Sequence, residues 1–257
     1  MRLLLFSPHP DDIAIAMGGF ASMLAHGDAE GVTVVLATDG SESLIPSNVL
    51  EKHGWLPTMT PVDQRALRGR IRVEEAREEI ARLGFPRDSV HLLTRQRWAA
   101  DHRTAPADLH PDLSLRDVAK FIPGPVDGEA LAEFREIIGD DALCFAPDPN
   151  DRLLMHRIVT DLVVQACDAS RLITYECLST IEPTGRQFLF AFGEELMAPK
   201  CHAILAHESM IERRRQFGGY SNPGTEGYDE IVRRRNSALA IANGCELPFA
   251  ERYGFPA

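Results

Sequence analysis

The sequence predicts an α/β fold: a Rossmann-like, doubly wound, mostly parallel sheet in a single domain, residues 1–257, with long active-site loops. Three observations predict it. Leu3 to Phe6 and Val32 to Ala37 are short apolar runs bounded by turn residues, as in strands buried on both faces. The segment between them carries apolar residues at helical spacing, which makes a βαβ unit and implies a parallel pair. The same alternation of strand and helix then recurs down the chain.

Leu3 to Phe6 is closed by Ser7-Pro8, and Val32 to Ala37 by Thr38-Asp39-Gly40. Between them Ile13 to His26 places Met17, Phe20 and Leu24 on one helical stripe before Gly27, a stop signal. Gln64 to Leu83 aligns Ala76, Ile80 and Leu83 and ends at Gly84, after which Val90 to Leu93 is a third strand and Ala142 to Ala146 a fourth. His156 to Cys167 puts Ile158, Val159, Leu162, Val163 and Ala166 on one face, and Leu172 to Cys177 supplies a further strand. Ser41 to Pro61 and Thr94 to Asp127 have no clear period, and stretches that long in a compact domain are usually lids or binding loops. The arginine triplets Arg213 to Arg215 and Arg233 to Arg235 sit in helix-like segments beside Glu212 and Glu230 and are expected on solvated faces.

Composition narrows the function. Lys plus Arg number 27 against 38 for Asp plus Glu, a formal charge of -11, which argues against a nucleic-acid or anionic-membrane partner. No apolar run approaches the ~20 residues of a membrane span. Leu3 to Phe6, broken at Pro8, is too short for a signal-peptide core, so the expected compartment is the cytoplasm. Cys144, Cys167, Cys177, Cys201 and Cys245 form no C-x-x-C pair and are expected as reduced thiols. Homo-oligomerisation is open at this stage.

The chemistry gathers after the first strand, where Pro8-His9-Pro10-Asp11-Asp12 is followed by Gly18-Gly19. In an open α/β sheet, ligands bind where the chain leaves the carboxyl ends of strands. A His and an Asp in a proline-braced turn converge on one cation while the intervening Asp points elsewhere. A catalytic zinc site uses three protein ligands, so a third is needed from another strand end. His156, after the turn Pro147 to Arg152, meets that requirement. Asp11 then stands beside the metal as the general base, and the reaction class is metal-assisted hydrolysis. Two other assignments compete: Asp-Asp after a strand is commonly a helix N-cap, and His156 by itself fits an ordinary helix-start histidine. A dinucleotide enzyme is the fold-level rival, but this turn lacks the glycines that a pyrophosphate requires.

At these residues the chain resembles the LmbE-like (PIG-L type) zinc-dependent N-acetylglucosaminyl deacetylases. The resemblance rests on Pro8 to Asp12 with Gly18-Gly19, on Thr38-Asp39-Gly40, on Arg72-Val73-Glu74-Glu75-Ala76 leading to Leu83-Gly84, and on Asn150-Asp151-Arg152 with His156. It extends to Lys200 to Ser209, similar to a K-x-x-A-x-x-x-H-x-S helix, and to Phe249 to Tyr253, similar to Y-A-E-x-F. It implies Zn2+ as cofactor, His9, Asp12 and His156 as its ligands, Asp11 as general base, and Arg72, Asn150, Asp151 and His207 around the substrate. The implied substrate is a small-molecule N-acetylated amino sugar or glycoconjugate that loses its acetyl group.

The chain departs from that family at three places. Where many members read N-D-R-H-P-D-H, it reads Asn150-Asp151-Arg152-Leu153-Leu154-Met155-His156, so the auxiliary His, at Leu153, and the auxiliary Asp are missing. Ile13 replaces the Glu after the Asp pair, and Thr94 to Arg97 replaces an expected acid. His207 is a candidate substitute for the lost His, with a packed or capping histidine as the other reading. The departures keep two alternatives in view. One is a zinc amidase for a specialised substrate, such as a thiol conjugate or an antibiotic intermediate; the other is a zinc-retaining sugar-binding protein with little turnover.

Overall fold

The computed structural model describes residues 2–27, 29, 31–93, 128–217 and 227–255. The loop expected over Thr94 to Asp127, with His102 and His110, lies outside them. Strands β1 (Arg2–Ser7), β2 (Val32–Leu36), β3 (Val90–Leu92), β4 (Ala142–Pro147), β5 (Leu172–Tyr175), β6 (Arg186–Phe192) and β7 (Phe249–Phe255) form one sheet in the order β3-β2-β1-β4-β5-β7-β6. The first five are parallel, with Leu5 opposite Val34 on one side and Phe145 on the other, and β7 is antiparallel to both β5 and β6. The mostly parallel α/β architecture expected from the apolar runs is therefore the one observed.

Alternation along the strands divides the core between the two faces of the sheet. Leu5, Val34, Leu36 and Phe145 pack with Ile13 and Met17 of α1 (Asp12–His26) and with Ala76, Ile80 and Leu83 of α3 (Pro61–Leu83), which follows α2 (Ser47–Lys52). Leu4, Phe6, Val35, Cys144 and Ala146 face the other way, onto α4 (Gly128–Ile138) and α5 (Leu154–Ala166). Phe6 stacks on Phe134 there at 5.3 Å between ring centroids. Because α1 leaves β1 over one face and α5 leaves β4 over the other, the connections that follow the adjacent strands β1 and β4 part at the carboxyl ends. Such a parting of the connections is where open α/β sheets form a crevice.

Several elements differ from the sequence expectation for local reasons. α3 starts at Pro61 rather than Gln64, because Thr60 accepts a hydrogen bond from the Asp63 N–H at 3.2 Å and Pro61 suits the first helical position. Ser41 to Pro61 contains α2 within what the pattern leaves as loop. β5 stops at Tyr175, since Cys177 N–H turns to the Thr180 hydroxyl at 2.9 Å. The segment Lys200 to Ser209 is two helices, α6 (Glu194–Ile204) and α7 (Glu208–Phe217), joined by a tight turn in which Ala206 and His207 N–H bond back to Ala203 and Ile204. The final helix is α8 (Tyr228–Ala242). Of the arginine triplets, Arg215 pairs with Glu212, Arg233 with Glu194 and Arg235 with Glu176. Among the described residues no helix is long and apolar enough to cross a membrane.

The double glycine is explained by close packing at a break in α1. Met17 has non-helical angles (φ -132°, ψ 21°), and the Gly19 and Phe20 N–H groups beyond it donate to the Glu251 carboxylate of β7 at 2.8 and 3.0 Å. A Cβ on Gly18 would stand 2.8 Å from the Lys200 stem, and one on Gly19 2.7 Å from the Phe192 ring. Lys200, fully buried, donates to Glu251 at 2.5 Å, and Tyr253 adds its hydroxyl at 2.8 Å. One carboxylate thus caps the second half of α1 and neutralises a buried ammonium. Glu251→Gln is expected to cost about 3–5 kcal/mol of stability in urea unfolding, because it strands the Lys200 charge. A Lys200→Met/Glu251→Gln double variant should recover part of that loss.

Candidate metal centre

The turn after β1 is pinned from three sides. Ser7 Oγ donates to the His9 carbonyl at 2.5 Å, Thr38 Oγ1 to the Pro8 carbonyl at 2.8 Å, and Tyr175 OH to the Phe6 carbonyl at 2.7 Å. Gly40 (φ 68°) passes so close that a Cβ there would meet Pro10 at 3.0 Å. His9 N–H donates to Asp12 Oδ2 at 2.7 Å, which folds the two side chains of the turn together. Asp11 occupies the N-cap position of α1 but makes no side-chain capping bond, so the ordinary cap assignment does not describe its carboxylate.

His156, in the first turn of α5 after β4, completes the cluster from across the crevice. Its Nε2 lies 3.2 Å from His9 Nδ1 and 3.4 Å from Asp12 Oδ1, while His9 Nδ1 lies 3.3 Å from Asp12 Oδ2. Donors held tetrahedrally at about 2.0–2.1 Å from a zinc ion stand about 3.3 Å from one another, so the spacing and the donor types fit zinc. Asp12 is buried, a condition that by itself raises its pKa, but the charges and hydrogen bonds of His156 and His9 drive it far below the usual carboxylate range. Burial by itself lowers the pKa of His156, and Asp12, Cys177 and Asp151 together raise it well above the ordinary value. The pocket opens on the His9 side, where the ring is one-third exposed against 1% for His156.

Buried networks of charged groups stand behind His156 and behind Asp11. Asp151, fully buried, faces His156 Nδ1 at 3.3 Å and is fixed by the Leu153 N–H at 2.8 Å and the Thr180 hydroxyl at 3.2 Å. Behind Asp11 is Arg72, 1% exposed, whose Nη2 donates to Asp11 Oδ1 at 2.9 Å. Arg72 Nη1 reaches Glu75 Oε2 at 3.2 Å, and His207 Nδ1 and Ser209 Oγ at 3.3 Å each. Glu75 also accepts from the Ser209 N–H and hydroxyl at 2.7 and 2.6 Å. His207 Nε2 meets Glu79, which in turn accepts from the Ala14 N–H at 2.9 Å.

The sequence-predicted residues therefore fall into three groups. His9, Asp12 and His156 converge, and Asp11, between His9 and Asp12 in the turn, pairs with Arg72. Arg72, Asp151 and His207 are buried behind them, and Asn150 lies on the partly exposed turn, its amide donating to the Glu182 carbonyl at 2.9 Å. Leu153 is 44% exposed at the start of α5. His53 is an exposed residue after α2. Sequence reasoning missed Glu79, Thr180 and Cys177. For Glu79 a signal existed: residues 72, 75 and 79 share one face of α3 at helical spacing. For Thr180 and Cys177 there was none, because their placement follows from a single bridge between Asp151 and Thr180.

The chain matches the family described as "PIG-L: GlcNAc-PI de-N-acetylase" over residues 4–167. No curated protein matches it. Among solved structures it is similar to the zinc-inhibited form of a teicoplanin deacetylase, at 17% identity and TM-score 0.62, covering 98% of this chain and 97% of the other. It is similar to the N,N'-diacetylchitobiose deacetylase of Pyrococcus horikoshii at 18% identity and TM-score 0.58, covering 98% and 82%. It is also similar to the 4-carboxy-2-hydroxymuconate hydratase of Pseudomonas putida at 16% identity and TM-score 0.58, covering 100% and 98%. At such identities the likeness is one of fold, and that fold is shared by hydrolytic and hydrating enzymes.

The His207 contacts carry a pH signature. Burial alone would lower its pKa, but Glu75 and Glu79 outweigh burial and raise it from 6.5 to about 9. A group raised on folding stabilises fully below its unfolded value and loses that contribution as pH climbs through the folded one. Urea unfolding should therefore show stability falling between pH 6.5 and about 9, with His207→Gln flattening that fall.

Proposed function

The chain belongs to the PIG-L family, and from that premise we propose that it is a zinc-dependent amide hydrolase releasing acetate from an N-acetylated amino sugar or glycoconjugate. The observation that carries the reading is the convergence of His9, Asp12 and His156 at 3.2–3.4 Å, with Asp11, the residue before Asp12 in the turn, clamped by Arg72. Zinc supplies Lewis acidity: it makes water acidic enough to ionise near pH 7 and polarises a carbonyl oxygen.

The chain's own residues do the rest. His9, Asp12 and His156 hold the ion with two neutral nitrogens and one carboxylate, and Asp151 turns the His156 ring by facing its other nitrogen at 3.3 Å. Asp11 takes the proton of the attacking water and returns it to the departing amine nitrogen. Arg72 holds Asp11 by Oδ1, leaving the other oxygen for that exchange and keeping the carboxylate oriented through the turnover. Of the residues expected around the substrate, Asn150 lies on the partly exposed turn with its amide on the Glu182 carbonyl. Arg72, Asp151 and His207 work from behind the base and the ligands.

Leu153 favours a specialised substrate within the same chemistry. It stands, 44% exposed, where the family resemblance implies a histidine that stabilises the developing oxyanion or protonates the amine. A leucine does neither, so Asp11 carries the proton to the leaving group unaided, and an apolar rim replaces a polar one.

Acetate release from a panel of N-acetylated amino sugars and glycoconjugates tests the proposal. Asp11→Asn is expected to lower kcat about 10²- to 10⁴-fold while bound zinc, measured by metal analysis, is unchanged. Release that is indifferent to both chelation and Asp11→Asn would sink the reading. Leu153→His is expected to raise kcat on simple N-acetylglucosamine compounds by up to about 10²-fold, since it restores one polar contact to the transition state.

A further inference from the structure

His156 is a ligand with two ends. Its Nε2 faces His9 and Asp12, whereas Nδ1 faces Asp151 at 3.3 Å, and a ring nitrogen of His156, an Asp151 carboxylate oxygen and Cys177 Sγ lie within 4.8 Å of one another. All three residues are buried, at 1%, 0% and 3% exposure. Nδ1 is 3.3 Å from Asp151 Oδ2 yet makes no aligned hydrogen bond, an unpartnered buried polar atom aimed into the cluster. The cluster is also built: the Thr180 hydroxyl donates to Asp151 Oδ2 at 3.2 Å and accepts the Cys177 N–H at 2.9 Å, so one side chain ties both outer donors together.

We infer that His156 Nδ1, the Asp151 carboxylate and the Cys177 thiolate form a second cation site, taking a thiophilic dication such as cadmium or excess zinc and sharing His156 with the first. The donor chemistry separates the two sites. The first offers nitrogen and oxygen alone, and the second adds sulfur, which favours softer ions. A carboxylate and a thiolate together neutralise a dication, the condition for holding one in a buried place. When the ion enters, the Cys177 thiol loses its proton, and His156, with Nε2 already on the first ion, loses the Nδ1 proton and becomes an imidazolate bridging the two cations; both protons go to solvent. Asp151 is then drawn from the ring it orients, so occupation of this site inhibits the protein. The inference rests on the proposed function only in giving Nε2 to the first ion.

The test is spectroscopic and needs no turnover. Protein holding one equivalent of zinc is titrated with cadmium while the near-ultraviolet thiolate-to-cadmium charge-transfer band is followed. The expected result is a band that saturates at one further equivalent, disappears in Cys177→Ser and requires about 10- to 100-fold more cadmium in Asp151→Asn. X-ray absorption at the cadmium edge of the unaltered protein, finding one sulfur among nitrogen and oxygen neighbours, supports the site without any substitution. No band, a shell without sulfur, or a band unchanged in Cys177→Ser overturns it, the last by placing cadmium on another thiol. A thiolate band at the first equivalent of cobalt added to metal-free protein supports the cluster and overturns instead the three-ligand arrangement above, so the two readings fail separately.

Discussion

A buried guanidinium is the constraint around which the site is organised. Arg72 is 1% exposed, and a charge so far from water persists only where anions and hydrogen-bond acceptors surround it. Asp11 and Glu75 supply the anions, and burial, which alone would lower the Arg72 pKa, is overcome by their charges. Three parts of the chain far apart in sequence are joined by this one side chain: the turn after β1 through Asp11, α3 through Glu75, and the start of α7 through Ser209. The turn before α7 adds His207, whose bond to Glu79 closes the network onto the first turn of α1 through Ala14. The carboxylate proposed as the base is therefore held by the same contacts that dock α3 and α7, so its orientation costs little extra ordering when substrate arrives.

Much of this was legible in the amino-acid sequence, and the limits of legibility are physical. Buried parallel strands declare themselves by continuous apolar runs, so β1 to β5 were visible, and Gly84 marked the end of α3 by adopting φ 104°. The antiparallel pair β6 and β7 was not visible as strands, because β6 is mostly exposed or partly buried and its aromatic residues are paired across the ladder with β7. His9, Asp12 and His156 could be named from residue type and position after strands. What lies behind them could not: that Arg72 and His207 meet depends on the break between α6 and α7, which a helical motif spanning Lys200 to Ser209 conceals.

Two buried ion pairs, made by similar means, serve different ends. Lys200 and Glu251 stand at the break in α1, where the carboxylate caps two N–H groups that the break at Met17 releases, and the pair holds α6 and β7 against the double glycine. Arg72 and Asp11 stand at the other end of the same helix, where the partner of the cation is left partly open to the crevice, its side chain 11% exposed. One pair is sealed and structural, and the other has a free face. Helix α1 thereby transmits packing from β7 to the turn that carries His9, Asp11 and Asp12.

Leu153 bears on how that geometry is used. His156 stands in the first turn of α5, and Leu153, at the N-cap position three residues earlier, is apolar and 44% exposed. Glu75, Glu79, Arg72 and His207 are committed to one another behind Asp11, which leaves His207 a packed residue of that network rather than a substitute for a polar group at Leu153. On the proposed reading, the chain keeps the residues that would hold an ion and a base and lacks the polar group that the family resemblance places at Leu153. That combination is intelligible where binding energy from an apolar part of the substrate compensates for the missing contact, because energy gained remotely lowers the barrier only if the reacting amide is held in place.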